Sequence, residues 1–90
     1  VVCADGNYYL EDGAAATQNM LVAAHALGLG ACWVAGDKKP YATAVAELLG
    51  VPRTHRLVSL IAVGHATTVP HPAKRGLDDV LHWQTFHGTP

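Results

Sequence analysis

The stretch EDGAAATQNMLVAAHALGLGACW, from Glu11 to Trp33, decides the fold. It opens on an acidic pair and a glycine, continues through alanine, leucine, methionine and glutamine without a proline, and closes on Gly28-Leu29-Gly30. Asp12 is placed to act as N-cap, its carboxylate accepting the free N–H groups of the first turn. Gly28 or Gly30 can supply the left-handed residue that ends a helix. The composition between them predicts a helix from Asp12 to Leu27. Its few polar residues gather along one line: Gln18 and His25 align with Ala15 and Val22, with Asn19 beside them and Thr17 across the helix. Ala14, Ala16, Met20, Leu21, Ala23, Ala24, Ala26 and Leu27 cover almost all the rest of the circumference. A helix apolar nearly all round is buried on more than one side. The expectation is a long central buried helix, with a sheet on one side and a second body, such as a partner subunit, on the other. It is too short and alanine-rich for a membrane span, and it carries Asn19 and His25.

Working outward, 90 residues suffice for one small domain, residues 1–90, and no more. A chain this size buries only roughly 60% of its unfolded surface and is marginal alone. Half of it is apolar, an excess that a small protein hides against a partner. Only 14% of residues are charged and the net charge is −1, which excludes the clustered cations of a nucleic-acid surface. Cys3 and Cys32 form no disulfide framework; they read as reduced, partly buried thiols in a reducing, cytoplasmic setting. The opening Val1-Val2-Cys3-Ala4 reads as the end of a buried strand, as if the sequence began inside a larger protein.

Along the chain, Asp5-Gly6-Asn7 is a turn. Ala31–Ala35 is a strand or an extended loop, and Gly36 to Pro40 a polar loop. Pro40 suits the start of a second helix, Tyr41 to Leu49, with Val45, Leu48 and Leu49 on one face and Gly50 as its C-cap. Arg56 to Gly64 is a near-continuous apolar run rich in β-branched residues, the pattern of a strand buried on both faces. It needs neighbours, and the chain offers only Val1–Ala4 and Ala31–Val34. The proline-containing stretch from His65 to Pro72 is a loop. Beyond it come a small basic spot, Lys74-Arg75-Gly76, a weakly amphipathic Leu77–Trp83, and a tail whose Trp83 and Phe86 need a surface to lie on.

The six histidines do not match metal-binding spacings: neither His65 with His71 nor His82 with His87 places two donors on one turn, so no metal site is expected. Cys32 could pair with a histidine as a nucleophile, but its apolar surroundings favour an inert, packed thiol. Gly28-x-Gly30 follows a helix rather than a strand and lacks a third glycine, so it is no dinucleotide fingerprint. Lys74 and Arg75 could hold one phosphate, Arg by its planar fork and Lys as a point charge, or could be a solvated surface pair.

The pattern as a whole resembles one family. Asp12, Gln18-Asn19-Met20-Leu21, Ala24, Leu27-Gly28-Leu29-Gly30 and Trp33 resemble the central helix and following turn of the nitroreductases, FMN-dependent oxidoreductases. Leu48-Leu49-Gly50-Val51-Pro52, the strand ending Ile61-Ala62-Val63-Gly64-His65, and Lys74 to His82 are similar to that family's later motifs, in the same order. The resemblance implies an α/β (α+β) fold, a nitroreductase-like sheet flanked by helices, of which residues 1–90 are the C-terminal portion. It implies that the backbone of Trp33, Val34, Ala35 and Gly36 lies against the flavin ring. It also implies that Lys74 and Arg75 hold the FMN phosphate, and that the helix of residues 12–28 packs at a homodimer interface. The implied activity passes electrons from NAD(P)H through FMN to a nitroaromatic, quinone or similar acceptor, without a membrane or nucleic-acid partner. The hard chemistry belongs to the cofactor, so no side chain is named as a catalytic acid or base. The family's N-terminal Arg-x-Ser-type segment, which grips the phosphate and ribityl chain, is absent from these residues. The alternative is therefore a truncated, non-catalytic dimerisation or binding module.

Overall fold

A computed structural model describes all residues, 1–90. The order is β1 (Val2–Ala4), α1 (Tyr9–Ala26), β2 (Gly30–Ala35), α2 (Ala42–Leu48), β3 (His55–Leu57), β4 (Ser59–Gly64), and one turn of 3₁₀ helix at Leu77–Asp79. The fold is α+β, built from two small antiparallel sheets, β1 with β3 and β2 with β4. Both neighbours expected for the Arg56–Gly64 run are the ones it has, but it is not one strand. It breaks at Val58: β3 pairs with β1, setting Cys3 opposite Arg56, and β4 pairs with β2, setting Trp33 opposite Ile61.

Helix α1 starts at Tyr9, earlier than the acidic pair suggested, and no side chain caps it. Asp12 is therefore not the N-cap; with Glu11 it lies in the first turn, where the positive end of the helix dipole favours both. The C-terminus follows expectation. Gly28 takes φ +76°, and the N–H of Leu29 reaches back to the carbonyl of Ala24 at 2.9 Å.

The core is where α1 crosses the break between β3 and β4. Gly13, Thr17 and Ala24 are the buried residues of α1; Gly13 meets Val58, Thr17 meets Ser59, and the buried Leu57 lies against Gly36. Gly13 lets the helix approach Val58 so closely that a Cβ there would lie 2.5 Å from Val58 Cγ2. One turn on, the Thr17 hydroxyl donates to the Gly13 carbonyl at 2.7 Å, so the Ser59 hydroxyl donates in turn to Thr17 Oγ1 at 2.7 Å.

Within this chain α1 is covered on one face only; Met20 and Val22 are 50% and 59% exposed. Three expectations of burial are corrected. In α2, Ala42, Val45 and Ala46 turn inward while Leu48 and Leu49 are exposed, because β3 lies beside the other face. Strand β4 is buried only where α1 crosses it, at Ser59, and Ala62 to Gly64 are exposed. Cys32, expected to be packed, is exposed on β2, and Cys3 is partly buried.

Only seven residues are buried, and the radius of gyration is 17.1 Å. A compact chain of this length has about 12 Å. From Ala62 onward every residue but Gly88 is exposed, including Trp83 and Phe86, which find no broad surface in this chain. Phe86 stacks instead on His82, with ring centroids 4.7 Å apart. No helix is long and apolar enough to cross a membrane.

Candidate functional site

Strand β2 carries Trp33, Val34 and Ala35 opposite Ile61, Leu60 and Ser59 of β4. With β4 on one side only, the other edge of β2 leaves alternate backbone N–H and C=O groups unpaired by any strand. All three residues are exposed. Gly36 then leaves the strand and is buried; a Cβ on it would come within 2.9 Å of Leu57 Cγ and 3.2 Å of the Ser59 nitrogen.

The Gly36–Asp37 turn is held from several elements. The N–H groups of Gly36 and Asp37 both donate to the Val58 carbonyl, at 3.2 and 3.1 Å. The Tyr41 hydroxyl, just before α2, donates to the Ala35 carbonyl. The Tyr9 hydroxyl, on the first turn of α1, donates to Asp37 Oδ1 at 3.0 Å. Lys38 completes the turn in the left-handed region at φ 56°, rare for a residue with a Cβ. Behind Tyr9 the Arg56 guanidinium lies 5.1 Å from the ring centroid and 3.2 Å from Asp5 Oδ1. The hydrogen bond to Asp37 is the main reason that the Tyr9 phenol is raised above its ordinary value; desolvation and the Asp37 charge add to it, and Arg56 opposes it. Asp5, by hydrogen bond and charge, raises Arg56 as well.

Lys74 and Arg75 lie on the exposed segment before Gly76, and the chain's one ion pair is Arg56 with Asp5, so both cations are free to meet an anion. They follow β4, whose last residue, Gly64, stands opposite Gly30. The chain thus leaves the sheet at the far end of β2 from Gly36. No hydrogen bond or ion pair joins Lys74 or Arg75 to Trp33, Val34, Ala35 or Gly36.

At the Gly30–Gly64 end an open cleft of about 960 Å³ is lined by Leu21, His25, Cys32, Val63 and His65, among others. No group of three or more His, Cys, Asp or Glu side chains is arranged to hold a metal. The holders of the Gly36–Asp37 turn, Tyr9, Tyr41 and the Val58 carbonyl, were not among the residues singled out from the sequence. Tyr9 lies 28 positions from the carboxylate it holds, and no local spacing signals that pairing.

Solved structures share this arrangement. An FMN-dependent nitroreductase from Clostridium difficile R20291 matches at a TM-score of 0.85 and 22% identity, over 94% of this chain and 55% of that one. Crystal structures of two provisionally assigned NADH dehydrogenase/NAD(P)H nitroreductases also match. The one from Parabacteroides distasonis ATCC 8503 has a TM-score of 0.78 and 30% identity, over 89% of this chain and 48% of that one. The one from Bacteroides thetaiotaomicron VPI-5482 has 0.79 and 27%, over 90% and 49%. The fold is accordingly that of part of a nitroreductase-type α+β domain. In sequence, the description "Nitroreductase family" matches residues 5–65, from the turn after β1 to the end of β4. A provisionally assigned NADH dehydrogenase/NAD(P)H nitroreductase of Archaeoglobus fulgidus is 34% identical, over 72% of this chain and 42% of that protein. The chain belongs to the nitroreductase family. It spans less than half the length of the curated relative it matches.

Proposed function

We propose that this chain supplies the ring-facing part of an FMN-dependent oxidoreductase that moves electrons from NAD(P)H to a nitroaromatic, quinone or similar acceptor. The observation that supports this best is the open edge of β2 at Trp33, Val34 and Ala35, running into the tethered Gly36–Asp37 turn within the family-matched span. A redox ring needs backbone dipoles that do not reorganise as its charge changes. A strand edge continued by a turn held from α1, α2 and Val58 offers such dipoles. When bound, FMN supplies the hydride chemistry, and the protein's part is position and charge.

Lys74 and Arg75 suit the phosphate chemically, Arg by paired donors and Lys as a point charge. In this reading they serve a flavin completed by a second copy. The homodimer forms through helix 12–28, whose uncovered face carries Met20 and Val22. In this reading residues 1–90 are the C-terminal portion of the domain. The free thiols of Cys3 and Cys32 suit a cytoplasmic setting.

The test is titration of the chain with FMN, followed by quenching of flavin fluorescence and by sedimentation. Binding with a shift to dimer supports the proposal. Arg75→Ala should then weaken FMN by about 10- to 100-fold, the worth of roughly 1.5–3 kcal/mol for a charged hydrogen bond. A chain that dimerises and stays colourless with excess FMN would instead be a non-catalytic dimerisation module. An unchanged affinity for Arg75→Ala would remove the phosphate role.

A further inference from the structure

We propose that Tyr9 is a positioning residue for the flavin-facing turn: its hydroxyl holds the Asp37 carboxylate, and with it the Gly36–Asp37 backbone, in one orientation. The inference rests on the reading of Trp33–Gly36 as the flavin contact for its effect on the cofactor, but not for its effect on the turn.

The geometry is a relay across four elements. Asp5, at the exit of β1, holds Arg56 of β3 at 3.2 Å. Arg56 lies over the Tyr9 ring at 5.1 Å, a cation–π contact that orients the ring. Tyr9, on the first turn of α1, donates to Asp37 at 3.0 Å, and Asp37 follows directly on the last residue of the proposed contact. Little in this relay serves the core. Asp5 and Arg56 are exposed, and Tyr9 and Asp37 are only half-buried. A phenylalanine at Tyr9 would therefore leave no buried polar atom without a partner, because Asp37 could turn to water. A bond that the core does not need, at the point where a strand edge meets a ligand, acts on orientation and charge. Donation from Tyr9 draws negative charge from a carboxylate that would otherwise stand free beside a ring that gains electrons. Without that bond, the freed carboxylate disfavours the reduced ring.

The test compares wild type, Tyr9→Phe, Asp37→Asn and the double variant. Hydrogen exchange of the Gly36 and Asp37 amides, which needs no flavin, should speed up by roughly two- to tenfold in Tyr9→Phe, the range for one hydrogen bond's net worth. The amides of Leu21 to Ala24 in α1 should not change. In the FMN-bound protein Tyr9→Phe should lower the flavin midpoint potential, and should not lower it in the Asp37→Asn background. Unchanged exchange at Gly36 and Asp37, or faster exchange along all of α1, overturns the proposal. So does a potential shift that persists without the Asp37 charge. If wild type binds no FMN, the flavin reading fails, and the exchange measurement still decides whether Tyr9 sets the turn.

Discussion

Gly13→Ala tests the central contact of the fold, because two physical effects predict opposite signs. In a helix interior alanine is better than glycine by about 1 kcal/mol, so propensity alone predicts a more stable protein. The packing predicts the reverse. A Cβ at position 13 would lie 2.5, 2.6 and 2.8 Å from Cγ2, Cγ1 and Cβ of Val58. Carbon atoms prefer about 3.5–4.0 Å. Rotating the Val58 side chain offers no escape, because its own Cβ is among the clashing atoms. The Val58 backbone cannot yield freely either: its N–H donates to Val1 at 2.9 Å, and its carbonyl holds Gly36 and Asp37. The helix must lift, which also strains the 2.7 Å hydrogen bond between Thr17 and Ser59. Overpacking of this kind costs about 1–3 kcal/mol, and strain on a buried hydrogen bond adds to it. After the propensity gain, the net loss should be about 1–2 kcal/mol. Urea unfolding followed by helical circular dichroism measures it; a loss of 1 kcal/mol lowers the melting temperature of a domain this size by about 4–8 °C. In a Val58→Ala background, which removes both γ carbons, the penalty should shrink by about 1 kcal/mol or more, because the two sites share one contact. A Gly13→Ala protein as stable as wild type, or a penalty strictly additive with Val58→Ala, would refute the close approach.

The other predictions concern the same region. Thr17→Val keeps the shape but strands the fully buried Ser59 hydroxyl, and should cost about 1–3 kcal/mol; adding Ser59→Ala should recover part of that, as read by chemical denaturation. Gly36→Ala drives a methyl to 2.9 Å from Leu57 Cγ and should cost about 1–3 kcal/mol while weakening FMN, both measurable in one titrated melt. The raised Tyr9 phenol sets a pH dependence. The folded state holds that proton more tightly than the unfolded chain, whose phenol ionises near pH 10, so the contribution is fully present below about pH 10 and lost as pH climbs through the folded value. The difference in melting temperature between wild type and Tyr9→Phe should be constant at neutral pH and narrow in alkaline buffer; a gap that widens there contradicts the hydrogen bond to Asp37.

How much of this was legible in the residues depended on whether the cause was local. Gly28 and Gly50 end their helices with positive φ, as a left-handed cap dictates, and nothing distant bears on that. The helix starts ahead of Asp12, a good cap in isolation, because Tyr9 already belongs to the helix and bonds across to Asp37. The all-round apolar surface of α1 was visible, but which stripe the sheet covers depended on Gly13, a residue whose importance lies in having no side chain. The break at Val58 could not be seen at all, since a β-branched residue in a run of β-branched residues looks like uninterrupted strand. As for the candidate site, Trp33 to Gly36 and Lys74-Arg75 were marked by resemblance to a family.

That hidden break links the fold to the site. At Val58 the side chain receives α1 through Gly13, the N–H ties the edge of β1 through Val1, and the carbonyl accepts both N–H groups of the Gly36–Asp37 turn. A residue in regular strand would spend those backbone groups on its sheet neighbours. Because the strand is interrupted there, the carbonyl is free to hold the turn, and the turn takes its position from the residue on which α1 rests. Any change that lifts α1 from Val58 should therefore be felt at Asp37, while changes on the open face of α1, at Met20 or Val22, should not. Amide exchange at Gly36 and Asp37 separates the two cases, with Gly13→Ala raising it and Val22→Ala leaving it as in the wild type.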